Sequence, residues 1–265
     1  MLKIRLIPIL LLKNGLIVRS ESFKFHQIIG DPITQLSRYN RWSVDELIYI
    51  DISSDDHYDV RREDAKIETS EKRSLLDIIE VVSKSCFVPL TFGGRIRTLN
   101  DIRSRVARGA DKVTLNYQAI MDPGFITQAA KVFGNQCIVV SIDVLKNVHG
   151  QYEVFTSGRQ KATGLDPVQW AKEVARLGAG EILLNSIDRD GTAAGFDSDL
   201  IRSVVTATSI PVIACGGAGK FKDFVTIVQE AKPSAVAAAN LFHFTELSYR
   251  HAKKEMLKGG LNVRS

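Results

Sequence analysis

The 265-residue sequence has few cysteines, few histidines and no long apolar run. Three cysteines (Cys86, Cys137 and Cys215) are too few for a disulfide scaffold. Each lies in or beside an apolar segment, so they read as reduced core thiols, which points to a cytoplasmic compartment. The five histidines (His26, His57, His149, His243 and His251) show no metal-ligand spacing, so zinc is not expected, nor is any other cofactor. The apolar run at residues 6–12 ends at Lys13. That is far short of the roughly 20 residues a bilayer span needs. No basic stretch with a small-residue cleavage site marks a secretion leader, and no membrane association is expected. An excess of one charge is also missing. Lys and Arg number 35 against 30 Asp and Glu, a net charge of +5, which suits phosphorylated ligands and argues little for nucleic acid. No RNP-type or helix-turn-helix signature accompanies it. With 45% hydrophobic and 25% charged residues, the composition is that of a folded globular chain and excludes disorder.

What the sequence does have is rhythm. Strand-length apolar runs recur at 5–12, 46–52, 88–92, 112–116, 137–143, 181–185, 210–214 and 235–239. They are nearly continuous rather than alternating, as parallel strands buried on both faces must be. Amphipathic segments such as 74–85, 99–108, 166–177 and 221–231 lie between them. Eight strand–helix alternations predict a closed (β/α)8 barrel, one domain over residues 1–265. The chain also repeats itself. Asp45-Glu46-Leu47-Ile48 resembles Gly180-Glu181-Ile182-Leu183, and the Val88-Pro89 run into Gly93-Gly94 resembles the Ile210-Pro211 run into Gly216-Gly217. These and a looser likeness of 6–13 to 139–146 give offsets of 135, 123 and 132 residues, which predict two similar half-barrels. One polar stretch, about 53–74, interrupts the rhythm after the second strand. It reads as a solvated loop, with a lid or partner-docking loop as the alternative.

A Gly-Gly pair directly after a strand lets backbone N–H groups approach an anion. This happens twice, at Gly93-Gly94 and at Gly216-Gly217, and Asp188-Arg189-Asp190-Gly191-Thr192 follows the sixth strand. One such pair could be only a tight turn, but two at symmetric positions predict paired phosphate sites.

The stretches GEILLNSIDRDGT, IPVIACGGAGK, GADKVTLN, FGNQCIVVSID and LFHF closely resemble the cyclase subunit of imidazole glycerol phosphate synthase, the HisF family. The likeness covers nearly the whole chain apart from the polar stretch, and the related isomerase of histidine biosynthesis fits the sixth-strand motif less well. The resemblance implies a barrel that receives ammonia from a HisH-like glutaminase and uses two aspartates for acid–base chemistry on a doubly phosphorylated substrate. Asp143 matches the fifth-strand aspartate. The first-strand position is Leu11, which can neither give nor take a proton. The first phosphate site keeps Gly93, Gly94 and Asn116, but Arg95 stands where the family has a third glycine and Tyr117 where it has a small hydroxyl residue. Arg95 could still hold an anion, yet with Tyr117 it fills space a phosphate would need. The second site fits the motif at Asp190, Gly191, Gly216, Gly217, Ala239 and Asn240, with Arg19 matching a lysine that touches substrate in the family.

The resemblance also implies an ammonia entrance closed by Arg5, Glu46, Lys112 and Glu181, four charges at the starts of four strands, with a structural plug as the other reading. Asp111 matches a residue the family uses to dock the glutaminase. The chain has no Cys–His–Glu glutaminase set of its own. Three functions stay open. The chain is a diverged HisF-like paralogue delivering ammonia elsewhere, an authentic histidine-pathway cyclase, or a non-catalytic scaffold for the glutaminase. Paralogues of this kind occur in surface-polysaccharide gene sets beside an ATP-dependent sugar amidotransferase that makes acetamidino sugars, which would be a third partner.

Overall fold

The computed structural model describes residues 3–21, 25–55, 58, 74–156, 161–243 and 247–264. In chain order, β1 (Arg5–Lys13) turns into a hairpin of β2 (Leu16–Glu21) and β3 (Phe25–Gly30). There follow α1 (Pro32–Arg41), β4 (Leu47–Asp51), α2 (Leu75–Ser85), β5 (Leu90–Gly93), α3 (Leu99–Val106), β6 (Lys112–Leu115), α4 (Tyr117–Met121) and α5 (Gly124–Phe133). The second half runs β7 (Ile138–Lys146), a hairpin of β8 (Tyr152–Thr156) and β9 (Lys161–Ala162), α6 (Pro167–Arg176), β10 (Glu181–Ser186), α7 (Ser198–Ala207), β11 (Val212–Cys215), α8 (Phe221–Ala231), β12 (Ala235–Ala238) and α9 (Ser248–Lys258).

Eight of these strands (β1, β4, β5, β6, β7, β10, β11, β12) pair in parallel and close on themselves, β12 returning to β1 through Arg5 and Ala235. The closed (β/α)8 barrel anticipated from the apolar rhythm is the observed fold. Period-two alternation divides each strand between two cores. On β1, Leu6, Leu10 and Leu12 face the helix layer, while Ile7, Ile9 and Leu11 face the barrel interior with Ile48, Val139, Leu183 and Ile213. Trp42 and Trp170 are buried in the outer layer.

The helix starts show the repeat at its clearest. Asp31 caps α1 and Asp166 caps α6, each followed by a proline at the first helical position, where its missing N–H costs nothing. The hairpins were not anticipated, although Asn14-Gly15 reads as a turn. Both residues take left-handed φ, 49° and 78°, the two-residue connection that Asn-Gly favours. Arg19 therefore lies on β2 rather than in a loop. Strand pairing also corrects one repeat offset. Ile50 pairs with Gly93 and Asn185 with Cys215. So Gly93 corresponds to Cys215, Gly94 to Gly216 and Arg95 to Gly217, an offset of 122 rather than 123. Of the polar stretch at 53–74, only 53–55, 58 and 74 are among the described residues. Among the described residues no helix is long and apolar enough to cross a membrane.

Candidate functional site at the carboxyl ends of the strands

At the amino end of the barrel the four charges expected there meet in one ring. Arg5 donates to Glu46 at 2.7 Å and to Glu181; Lys112 donates to the same carboxylates at 2.8 and 3.0 Å. Each carboxylate thus accepts from both cations, and both are nearly fully buried. Burial works against the Arg5 charge, but the two glutamates outweigh it and hold its pKa above the usual guanidinium value. Asp111, nearby at the same end, is exposed, and its Oδ2 accepts the Leu90 N–H at 2.8 Å. It therefore has a structural task, as Asp45 does where it accepts the Leu6 N–H.

At the carboxyl ends lies a cavity of about 590 Å³, and beside it a second of about 250 Å³. The larger has two unlike walls. Asp143, Asn116, Ser141, Asn185 and Asp190 line one, and Ile9, Leu11, Ile50 and Ile52 the other. Asp143 sits in a network: Asn116 Nδ2 donates to Oδ2 at 3.2 Å, and Asn185 Nδ2 reaches Oδ1 at 3.5 Å. Asn116 is itself aimed by Thr156 on β8, whose hydroxyl donates to its Oδ1 at 2.9 Å. Asp143 is thus a carboxylate that lines the cavity and is held by two amide donors. Cys215 is buried beside them, and burial pushes its thiol pKa well up, so it is inert as a nucleophile.

The smaller cavity is lined by Arg19, Asp190, Gly191, Gly216, Gly217, Ala239 and Asn240, bringing the expected second phosphate site together. Gly216 and Gly217 take φ of +90° and +101°, and a Cβ on Gly217 would stand 2.1 Å from the Gly195 carbonyl oxygen. Only glycine fits, so backbone faces the cavity. Asn240, expected to offer a hydrogen bond to a ligand, donates one to the Ser20 carbonyl at 2.6 Å and so ties β2, which carries Arg19, to this cradle. His243, just beyond, is pushed down to about 4 by burial and by Arg38 and Arg19.

At the first phosphate site, Gly94, Arg95, Asn116 and Tyr117 all line the larger cavity. Gly94 keeps φ +105°, and a Cβ there would meet the Asp51 carbonyl oxygen at 2.3 Å. Arg95 adopts φ 52°, a left-handed conformation costing a side chain about 1–2 kcal/mol. Its guanidinium is not held out to a ligand on that side: Nη2 donates to Asp51 at 2.7 Å. Asp51, with no exposed side-chain surface, also accepts from Ser53 N at 3.0 Å, Ser53 Oγ at 2.5 Å and Tyr58 OH at 3.1 Å. Burial and then the adjacent carboxylate raise the Tyr58 pKa, so the phenol stays a donor. Tyr117 rises from the end of β6 with the Arg97 guanidinium 5.4 Å over its ring.

Asp51, Ser53, Tyr58 and Asn185 were not anticipated as site residues. Only the repeat could have pointed to Asp51 and Asn185, since they end paired strands. Among the described residues no group of His, Cys, Asp or Glu could hold a metal ion.

The sequence profile described as histidine biosynthesis protein matches residues 5–248, nearly the whole barrel. That family contains both the cyclase and the isomerase barrels. A half-barrel repeat, a carboxylate at the end of β7 and a glycine cradle at the end of β11 are thus found in a chain that belongs to the histidine biosynthesis protein family.

Proposed function

We propose that this chain is the ammonia-accepting barrel subunit of a glutamine-dependent synthase, diverged from the histidine-pathway cyclase. In this reading a HisH-like glutaminase docks at the amino end of the barrel, where Asp111 lies. Ammonia crosses the ring and meets a phosphorylated ligand near Asp143. One observation carries the reading. The four-charge ring is complete, while the pocket above it has Leu11 where the cyclase needs a second acid. If acid–base catalysis contributes about 10²–10⁴-fold, losing half the pair removes most cyclase turnover. Ammonia delivery needs the ring and not the aspartate. The surface-polysaccharide paralogues, with their sugar amidotransferase, supply the context this reading favours.

A second reading has its own observation. The Asp143 network with Asn116 and Asn185 is what a working carboxylate would need, which favours an authentic cyclase of the histidine pathway.

The test mixes the purified chain with the HisH-type glutaminases of the same genome and follows glutamine hydrolysis and co-elution. A one-to-one complex with stimulated hydrolysis is expected. In that complex Glu46→Ala is expected to break the balance between glutamine consumed and product formed, whereas Glu46→Gln, which keeps the shape, disturbs it less. No complex with any of them would overturn the reading.

A further inference from the structure

The two ends of the barrel top derive from one repeated plan, so their differences can be read position by position. Gly94 corresponds to Gly216, Arg95 to Gly217, Asn116 to Ala239 and Tyr117 to Asn240. The backbone agrees: Asn116 takes φ −130°, ψ −82° and Ala239 takes φ −99°, ψ −80°. Both ends therefore retain the turn of an anion cradle.

At one end glycine leaves that cradle open to the 250 Å³ cavity. At the other, two side chains have been put into it. Arg95 is held by a fully buried carboxylate that accepts from Ser53, Tyr58 and Arg95 together. That arrangement is built rather than incidental. A bulky residue keeps a left-handed φ there, and four donors converge on Asp51. Arg95 Nη2 is committed to Asp51 at 2.7 Å, and a guanidinium paired with a buried carboxylate attracts a phosphate dianion less than an unpaired one. The Leu11, Ile50 and Ile52 side chains on the same cavity offer no donor or acceptor, and Arg97, which also lines it, lies over the Tyr117 ring.

We propose that the ligand of this barrel carries a single phosphate, seated at Gly216-Gly217, and extends an uncharged body across Asp143 toward the Arg95–Asp51 pair. The proposal rests on the barrel top being the ligand site of the subunit proposed above, and it is independent of ammonia delivery. It gives a second phosphate no seat of its own, so a bisphosphate gains no affinity over a monophosphate. It selects phosphomonoesters whose far end is uncharged and reaches Ile50, Ile52 and Tyr117.

The experiment is a binding measurement on the isolated full-length chain, needing neither glutaminase nor turnover. Ribulose 5-phosphate and ribulose 1,5-bisphosphate are titrated in parallel by calorimetry and phosphorus NMR. The expected result is one phosphate bound per chain and affinities within threefold of each other. Gly217→Val should weaken ribulose 5-phosphate at least tenfold. Arg95→Gly should give the bisphosphate at least a tenfold advantage by reopening the second cradle. A wild-type preference for the bisphosphate of tenfold or more would overturn the proposal, as would two phosphates per chain or no binding of the monophosphate. The wild-type comparison decides the matter even if Arg95→Gly does not fold. A glutaminase complex with bisphosphate preference would leave the functional reading standing and this one fallen; the reverse pattern would do the opposite.

Discussion

At the layer where the N-terminal half of the barrel has Leu11, Ile50 and Gly93, the C-terminal half places Asp143, Asn185 and Cys215. The strands carrying these residues pair in the same register, and each half follows its first strand with a hairpin. Thr156 of β8 steadies Asn116, and Ser20 of β2 accepts from Asn240, so each hairpin latches the cradle beside it. The difference is wholly in side chains. A half-buried carboxylate needs donors, and Asn116 and Asn185 supply them to Asp143. Leu11 needs none, and its neighbour Ile50 is apolar to match. At the carboxyl end of the N-terminal half, the buried carboxylate of Asp51 is paired with Arg95. One backbone plan therefore carries a half with polar side chains at this layer and a half whose buried carboxylate is paired with its own arginine.

The largest way to break this comparison is to unpair that carboxylate. Arg95→Met leaves Asp51 buried with its charge unpaired, and loss of one partner of such a pair costs about 3–5 kcal/mol. Urea unfolding should show a lowered midpoint with unchanged slope. A loss under about 1 kcal/mol would mean that the Ser53 and Tyr58 donors alone satisfy Asp51.

Next in size is acid sensitivity. His243 lies behind the open cradle, where the other half has Ile120. Its folded pKa is about 4 against an unfolded value of about 6.5. The unfolded chain thus takes up a proton that the folded chain refuses. Stability from this residue is fully present above pH 6.5 and declines as pH falls toward 4, by up to about 3 kcal/mol. His243→Leu should flatten that limb of the stability–pH curve. An unchanged slope would place the acid lability elsewhere.

A smaller effect comes from making the N-terminal half resemble the C-terminal one. Leu11→Asp buries a carboxyl among Ile9, Val18 and Ile50 and should cost about 2 kcal/mol without creating strong cyclase activity. Adding Ile50→Asn, the counterpart of Asn185, should recover about 1 kcal/mol in a double-mutant cycle. Additive losses would show that the two halves are not interchangeable at this layer. The mildest change, Asn116→Ala, removes one donor from Asp143. It should cost about 1 kcal/mol, read from the midpoint of urea unfolding.

The barrel was legible because apolar runs at even spacing carry it, and all eight strands fall within a few residues of those runs. The ring was legible through the family resemblance, which matches Arg5, Glu46, Lys112 and Glu181 at or just before the starts of four strands. The hairpins were not, since a two-residue turn such as Asn14-Gly15 marks a reversal without fixing the pairing of the strand after it. The closure of the first site was half legible. Arg95 and Tyr117 stand out as replacements in a glycine turn, but the direction of the Arg95 side chain depends on Asp51 across the barrel and on Ser53 and Tyr58 from a stretch that reads as solvated loop. Contacts between residues distant in sequence leave no local pattern. The repeat held the missing clue, because the Val88-Pro89 and Ile210-Pro211 starts align Arg95 with Gly217 when counted forward, and the glycine pairs counted backward do not.

The central claim is that loss of the first-strand acid and closure of the first cradle have ended the ancestral two-phosphate cyclase reaction. It is tested most directly by assaying the purified chain with free ammonium at high pH and the authentic histidine-pathway substrate, which removes any dependence on a glutaminase. The account predicts no turnover above the uncatalysed rate from well-folded protein. Substantial turnover would contradict it and would show that Asp143, with Asn116 and Asn185 around it, carries the acid–base work alone.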